Sequence, residues 1–528
     1  MKKSLKVLTA VGCLGVIAAC SSNDTGNDTT SNPDVEVNKE GFPIVDEEIT
    51  LSLMAPGTGL AEWKDMPTLQ EYSEMTNIQF DYTTPPSSDF ATRLNLSFAS
   101  GDIADIIYGA GTSNLTPGME VDYGRQGILI PLEDLIAEYA PNIQRLLDEN
   151  PEIAKSITTV DGHIYSLPVI NQHPHAGWAV PMWYNGEWLD ALDADVPTTT
   201  DELYDLLVRF RDEDPNGNGE ADEIPLLDVQ MNSTRKAFIA AFGMKEWGIE
   251  EVDGEVRYAP MTDNYKEYLT YMNKLYEEGL LDPETFSQSD EQKKAKGQDN
   301  RIGLFPDWFS FFTTGQTEEE AVNNPMFHPL SSPITDEPLI PINPGITRGT
   351  FSITNNNEHP EASIRWVDYF YSDEGADFLN QGPEGYLFEF DENGERVELE
   401  IPSQYESSED YRGTLTPAYG IPTPTVVQRV EGVELSPFDE FLDAETAEKV
   451  DAFGEVPIPL LYLTNEEQEI VNTIEVDLQS YVEQLEARFI TGVEPLSNWD
   501  KYVETIESMN IEEYVDIYQE AYDRWASS

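Results

Sequence analysis

Ten residues in the middle of the chain have the types and spacing to hold a hard cation. From Asp214 to Glu223 the chain reads Asp-Pro-Asn-Gly-Asn-Gly-Glu-Ala-Asp-Glu, with Asp214, Asn216 and Asn218 at alternate positions and Asp222 and Glu223 following. Side-chain oxygens at alternate positions, with a backbone carbonyl (here that of Glu220) between them, form the kind of cage that Ca2+ takes. Gly217 and Gly219 permit the tight curl that turns these groups inward. The match to an EF-hand loop covers the first five positions and then stops, because its twelfth position is Pro225; the bidentate acid must come earlier, from Glu223. The same residues also make an Asx-rich surface turn with no ion, and spacing alone leaves both readings open.

Other reactive chemistry is sparse. The five histidines, His163, His173, His175, His328 and His359, are scattered. His173 and His175 could share a zinc ion, but at that spacing among prolines they read as a loop. A glycosidase needs two carboxylates across one bond, and none of the 100 acidic residues is singled out for it. There is no GxSxG, no HExxH and no free catalytic cysteine.

The N-terminus reads as an export signal. Lys2, Lys3 and Lys6 precede the apolar run Val7 to Ala19, which is too short to span a membrane. Ile17-Ala18-Ala19-Cys20 resembles a bacterial lipobox, in which Cys20 is lipidated, and the polar run after it suits a tether. Cys13 falls inside the signal, so no disulfide is expected. With 100 acidic against 30 basic residues the net charge is −70, a surface that repels nucleic acid and anionic head groups. Acidity spread so evenly is a solvation feature rather than a site.

The elements that must position these groups follow from periodicity. Ile49 to Met54 and Ile78 to Tyr82 read as strands, Trp63 to Thr76 and Phe90 to Ser100 as helices, and Ile103 to Tyr108 as a buried strand. That alternation implies a parallel, helix-covered sheet with ligands beyond the carboxyl ends, at Pro56–Gly59 and Tyr108–Gly111. Asp161 to Pro168 reads as a hairpin. Thr198 to Leu203 opens a helix with a Thr or Asp cap that runs into the cation loop. Ile470, Ile474, Leu478, Tyr481, Leu485 and Phe489 form one helical stripe behind a possible capping box from Thr464 to Glu467.

A family resemblance rests on particular stretches. Trp188-Leu-Asp-Ala-Leu, then Val196 to Tyr204 running into Asp214 to Leu226, resembles the extracellular solute-binding lipoproteins of carbohydrate ABC importers, the group with LplA-like and alginate-binding proteins. Asp368 to Gly375, Gly382-Pro-Glu-Gly, Phe489 to Gly492, Trp499 to Tyr502 and Tyr518 to Tyr522 agree with it. The resemblance implies a two-lobed α/β periplasmic-binding-protein-like fold with an interlobe cleft and a helical C-terminal part. Its expected layout is a signal peptide over 1–19 and a flexible tether over 20–45. One lobe then takes 46–175 plus about 300–360, and the other 176–299 plus about 361–528. It also implies a structural Ca2+ in the loop of Asp214, Asn216, Asn218, Glu220, Asp222 and Glu223. The function implied is capture of an oligosaccharide outside the cell and delivery to an ABC permease, by a lipid-anchored monomer that is not an enzyme. A cell-anchored glycosidase or lyase is the alternative.

Sugars offer apolar C–H faces and a belt of hydroxyls, so their sites pair flat aromatic rings with polar rims. Loop aromatics are the better candidates: Trp63, Tyr108, Trp178, Trp183 and Trp308. Arg348 and Glu384 are candidate polar contacts. Before the Trp188 helix the family often carries an arginine; Asn185 in this region argues against an acidic sugar.

Overall fold

The computed structural model describes residues 35–179, 181–405, 407–430 and 433–527. The expected signal segment, Cys13 and Cys20 lie outside them. Two sheets organise the chain. The first has six strands in the order Val426–Val427, Leu167–Asn171, Ile346–Ile353, Ile106–Tyr108, Ile49–Met54 and Ile78–Thr83. The parallel pairing of the strands from 49, 78 and 106 follows the expected alternation, while Ile346–Ile353 enters antiparallel to both of its neighbours. The second sheet joins Met182–Tyr184, Ile302–Pro306 and Ile224–Leu226.

Local sequence explains the covering helices. Ser87–Ser100 buries Phe90, Leu94 and Phe98 at four-residue spacing and ends at Gly101, whose N–H bonds back to Phe98 and Ser97. The helix Thr200–Asp212 is capped by Thr199, whose hydroxyl accepts from the Glu202 N–H. Asn465–Ile490 starts with a reciprocal capping box between Thr464 and Glu467 and buries Ile474, Leu478, Leu485 and Phe489. Around the first sheet packs a core containing Trp63, Tyr72, Tyr108, Phe351 and Trp366. Around the second packs one containing Trp188, Phe210, Tyr268, Leu478 and Trp499.

Four expectations change. The run expected as one helix from Trp63 is a short turn of 3-10 helix over Trp63–Asp65 and a separate helix over Pro67–Thr76, because Met66 precedes proline and is extended. Asp161 to Pro168 is not a hairpin. Thr159 and His163 close a turn, and the following Leu167–Asn171 pairs with distant strands instead. The segment 35–45, expected as tether, is folded: Val37 bridges Val45, and Ile44 and Val45 are fully buried in the first core. The lobe boundaries also move. Ile302–Pro306 belongs to the second sheet, while Trp366, Phe370 and Val426 belong to the first core. The chain leaves the first sheet after Asn171, returns to it at Ile346, and leaves it again after Val427 for helices that pack with the second sheet. No helix among the described residues is long and apolar enough to cross a membrane.

Candidate functional site

A cavity of about 900 Å3 opens beyond the end of the first sheet where its strands finish. Val169, His173 and Val427 to Arg429 form one side, at the point where two strands leave the sheet. Ile421 and Pro422 form another and lie over the end of Ile106–Tyr108. That approach requires glycine: a Cβ on Gly109 would stand 3.1 Å from Ile421, and one on Gly111 would stand 2.7 Å from Pro422. The remaining wall comes from Ser408, Glu409 and Arg412 of the helix Ser408–Leu415, from the hairpin residues Leu387, Arg396 and Glu398, and from Asp439. Asp439 lies in the first turn of the helix Pro437–Thr446, whose Phe438 and Leu442 pack in one cluster with Trp183 and Phe305 of the second sheet.

Every arginine in this wall is already matched by an acid. Arg396 meets Glu398 at 2.8 Å and Arg412 meets Glu409 at 2.6 Å. Arg412 also donates to the carbonyls of Asn380 and Ala418 at 2.9 and 2.7 Å. Arg429 forks onto Asp443 at 2.5 and 2.7 Å, and holds that carboxyl below the usual range. Donor geometry is therefore available without net positive charge, which suits hydroxyls better than carboxylates. Beside Arg429, His175 stacks on Trp178 at 4.4 Å with Nε2 3.3 Å from Asp443. Burial, with His173 and Arg429 adding to it, lowers the His175 pKa to about 4; burial and Arg429 lower that of His173.

The second body contributes an aromatic edge. Asp307 fixes the loop after Ile302–Pro306, with its carboxylate accepting from the Trp308 N–H at 2.8 Å and from the Thr313 hydroxyl at 2.6 Å. The loop presents Trp308, half exposed, and Phe312, nearly as open. Behind them Phe309 packs on Phe438, the neighbour of cavity-lining Asp439, at 5.9 Å. Exposed rings of this size can stack on sugar faces.

The sequence candidates divide sharply. Trp63 and Tyr108 are buried in the first core, in edge-to-face contact at 5.5 Å. Trp183 is buried and donates to the Asp307 carbonyl at 2.8 Å. Trp178 is buried and donates to Thr446 at 3.1 Å. Asn185 caps the helix Gly186–Leu192 and donates to Asn300 at 2.8 Å, so its identity answers to helix geometry and says nothing about ligand charge. Arg348 is buried away from the cavity, and donates to the carbonyls of Ser156 and Leu461. Glu384 is exposed and accepts from the Phe390 N–H at 3.2 Å. Trp308 alone among the candidate rings is open to solvent. Nothing in the sequence singles out Arg396, Arg412 and Arg429 beyond the scarcity of arginine in so acidic a chain.

In the cation loop, Gly219 N–H donates to Asp214 at 3.1 Å and Glu220 N–H to Asn218 at 2.7 Å. Asp222 is held low by the Asn218 amide, with Asn216 and Arg301 adding to it, and Arg301 meets it at 2.9 Å. Glu223 Oε1 is buried without a partner, and burial beside Asp222 and Asp214 raises its pKa. Among the described residues no group of three or more His, Cys, Asp or Glu side chains is gathered as for a metal ion.

The chain as a whole is similar to known proteins. Residues 57–377 match the family described as bacterial extracellular solute-binding protein. The fructooligosaccharide ABC transporter substrate-binding protein FusA of Streptococcus pneumoniae serotype 4 is 30% identical, over 100% of this chain and 98% of its own. The solved structure of S. pneumoniae FusA in complex with kestose is 27% identical with a TM-score of 0.72, covering 91% of this chain and 100% of that one. A FusA EF-hand mutant in complex with fructo-nystose gives 28% and 0.71, over 91% of this chain and 100% of that one.

Proposed function

The chain belongs to the bacterial extracellular solute-binding proteins, and from that premise we propose that it captures a neutral oligosaccharide of the fructooligosaccharide class and delivers it to an ABC permease. Membership makes it a binding protein rather than an enzyme. Similarity to FusA along the whole chain supports the ligand class. The observation that carries the neutral charge is the pairing of Arg396, Arg412 and Arg429 with Glu398, Glu409 and Asp443. An acidic sugar would find no uncompensated cation in these three and would face a chain of net charge −70. We place the sugar between the cavity and the Trp308 edge. Titration calorimetry tests the reading. Kestose-type tri- and tetrasaccharides should bind saturably without turnover, and oligogalacturonides should not. Binding of the acidic series alone, or hydrolysis of any sugar, overturns it.

The same reading gives the Asp214–Glu223 loop a structural Ca2+. Two observations support the fit: the buried, unpartnered Glu223 Oε1, and a loop turned inward by Asp214, Gly217 and Gly219 at positive φ. Asp214, Asn216, Asn218, the Glu220 carbonyl, Asp222 and Glu223 would hold it, and its charge would offset these acids together with Arg301, which meets Asp222 at 2.9 Å. Ca2+ at a hundredfold excess over its Kd should stabilise the protein by about 3 kcal/mol, and a chelator should remove that gain. Unchanged melting on chelation removes the ion from the account. Cys20 within its lipobox-like context supports a lipid anchor at the outer face of the membrane.

A further inference from the structure

The hairpin on the cavity wall carries more than packing requires. Phe388–Phe390 pairs only with Arg396–Glu398 among the described strands, across a turn closed by Asp391, Gly394 and Glu395. Its support is a small separate core of Leu387, Phe388 and Leu415. Side chains alternate between faces along a strand, and directly paired residues share one. Since Phe388 pairs with Glu398 and Phe390 with Arg396, these four project on one face, while Glu389 and Val397 project on the other. Arg396 and Glu398 line the cavity, so that face is the inner one. Phe388 does the packing: it is 7% exposed, with the Arg396 guanidinium 3.8 Å from its ring centre. Phe390, on the same face but next to the cavity-lining residues rather than among them, stands edge-on to it at 5.7 Å and remains 52% exposed, without entering the small core.

An open phenyl ring beside a paired Arg and Glu is the combination that a sugar ring uses, with its C–H face on the aromatic and its hydroxyls on the polar pair. We infer that the hairpin is an end subsite that senses ligand length, Phe390 stacking on a sugar unit that only longer oligosaccharides extend to it. This rests on the oligosaccharide reading above. It adds a specificity element that the buried Trp63, Tyr108 and Trp183 cannot supply, and it uses a surface that Trp308 does not.

The test is calorimetry on the full folded protein with a neutral trisaccharide and a pentasaccharide of the same series. Phe390→Ala should weaken the pentasaccharide about tenfold while leaving the trisaccharide within about twofold. Val397→Ala, on the outer face, should change neither. Relative to the unmutated protein, Phe390→Trp should add a fluorescence change with the pentasaccharide and none with the trisaccharide. Equal weakening at both lengths, or none at the longer, overturns the inference while the oligosaccharide reading stands. Failure of the unmutated protein to bind either sugar overturns both.

Discussion

Two arginine clusters of this molecule use the same side chain for opposite ends. Arg348 lies on the first sheet, 5% exposed, donating to two backbone carbonyls and resting 4.1 Å from the Tyr462 ring centre. Nearby, Glu120 is fully buried and accepts from Ser166 and Tyr462 at 2.8 Å each, and burial raises its pKa. Tyr462 lies just ahead of the helix Asn465–Ile490 of the second body, so this cluster ties the two bodies together. Arg396, Arg412 and Arg429 instead border open space, each with its own carboxylate. Scarcity alone does not separate an arginine that ties two bodies together from one that borders open space, where we propose a role in sugar recognition.

Four substitutions sharpen that contrast. Arg348→Ala removes charged hydrogen bonds in the buried cluster and leaves the Glu120 carboxyl without its nearby cation. Denaturant unfolding should show a loss of about 3 kcal/mol, against about 1 kcal/mol or less for Arg429→Ala. Equal losses would erase the distinction between strut and recognition group. Next, Trp308→Ala should weaken sugar binding about tenfold in calorimetry and leave unfolding unchanged, since half of the ring is already in water. A loss of stability with intact binding would reassign Trp308 to packing.

The smallest effect concerns pH. His175 has its folded pKa lowered to about 4, below an unfolded value of about 6.5. Between those values the unfolded chain takes up a proton that the fold refuses, so its contribution is full above pH 6.5 and is lost as pH falls towards 4. Melting temperature should fall across that window, and His175→Gln should flatten the fall. An identical profile in the variant would show that His173, Asp443 and Arg429 leave His175 free to titrate.

Much of the fold was legible where one element carries its own signal. The strand Ile49–Met54, the helix over Ser87–Ser100 and the capped helix from Thr464 each follow from local periodicity. Pairings between distant segments were not, because nothing in Ile302–Pro306 or Val426–Val427 states which sheet it will join. The candidate site was read mainly through aromatic residues near strand ends, and most of those are core. A tryptophan on a loop after a strand faces inward when the loop folds back, as Trp63 does, and outward when an anchor such as Asp307 turns it, as for Trp308. Phe390 carried no signal at all, since its face is fixed by a pairing register that only the fold reveals.

We propose that a neutral oligosaccharide lies between the Arg412–Arg429 wall and the Trp308 edge. A crystal structure of the protein grown with a neutral tetrasaccharide tests it most directly. The account predicts sugar density in the cavity, with hydroxyls on Arg412 or Arg429 and a ring face on Trp308. Ordered sugar bound elsewhere, with this cavity left to solvent, would contradict it.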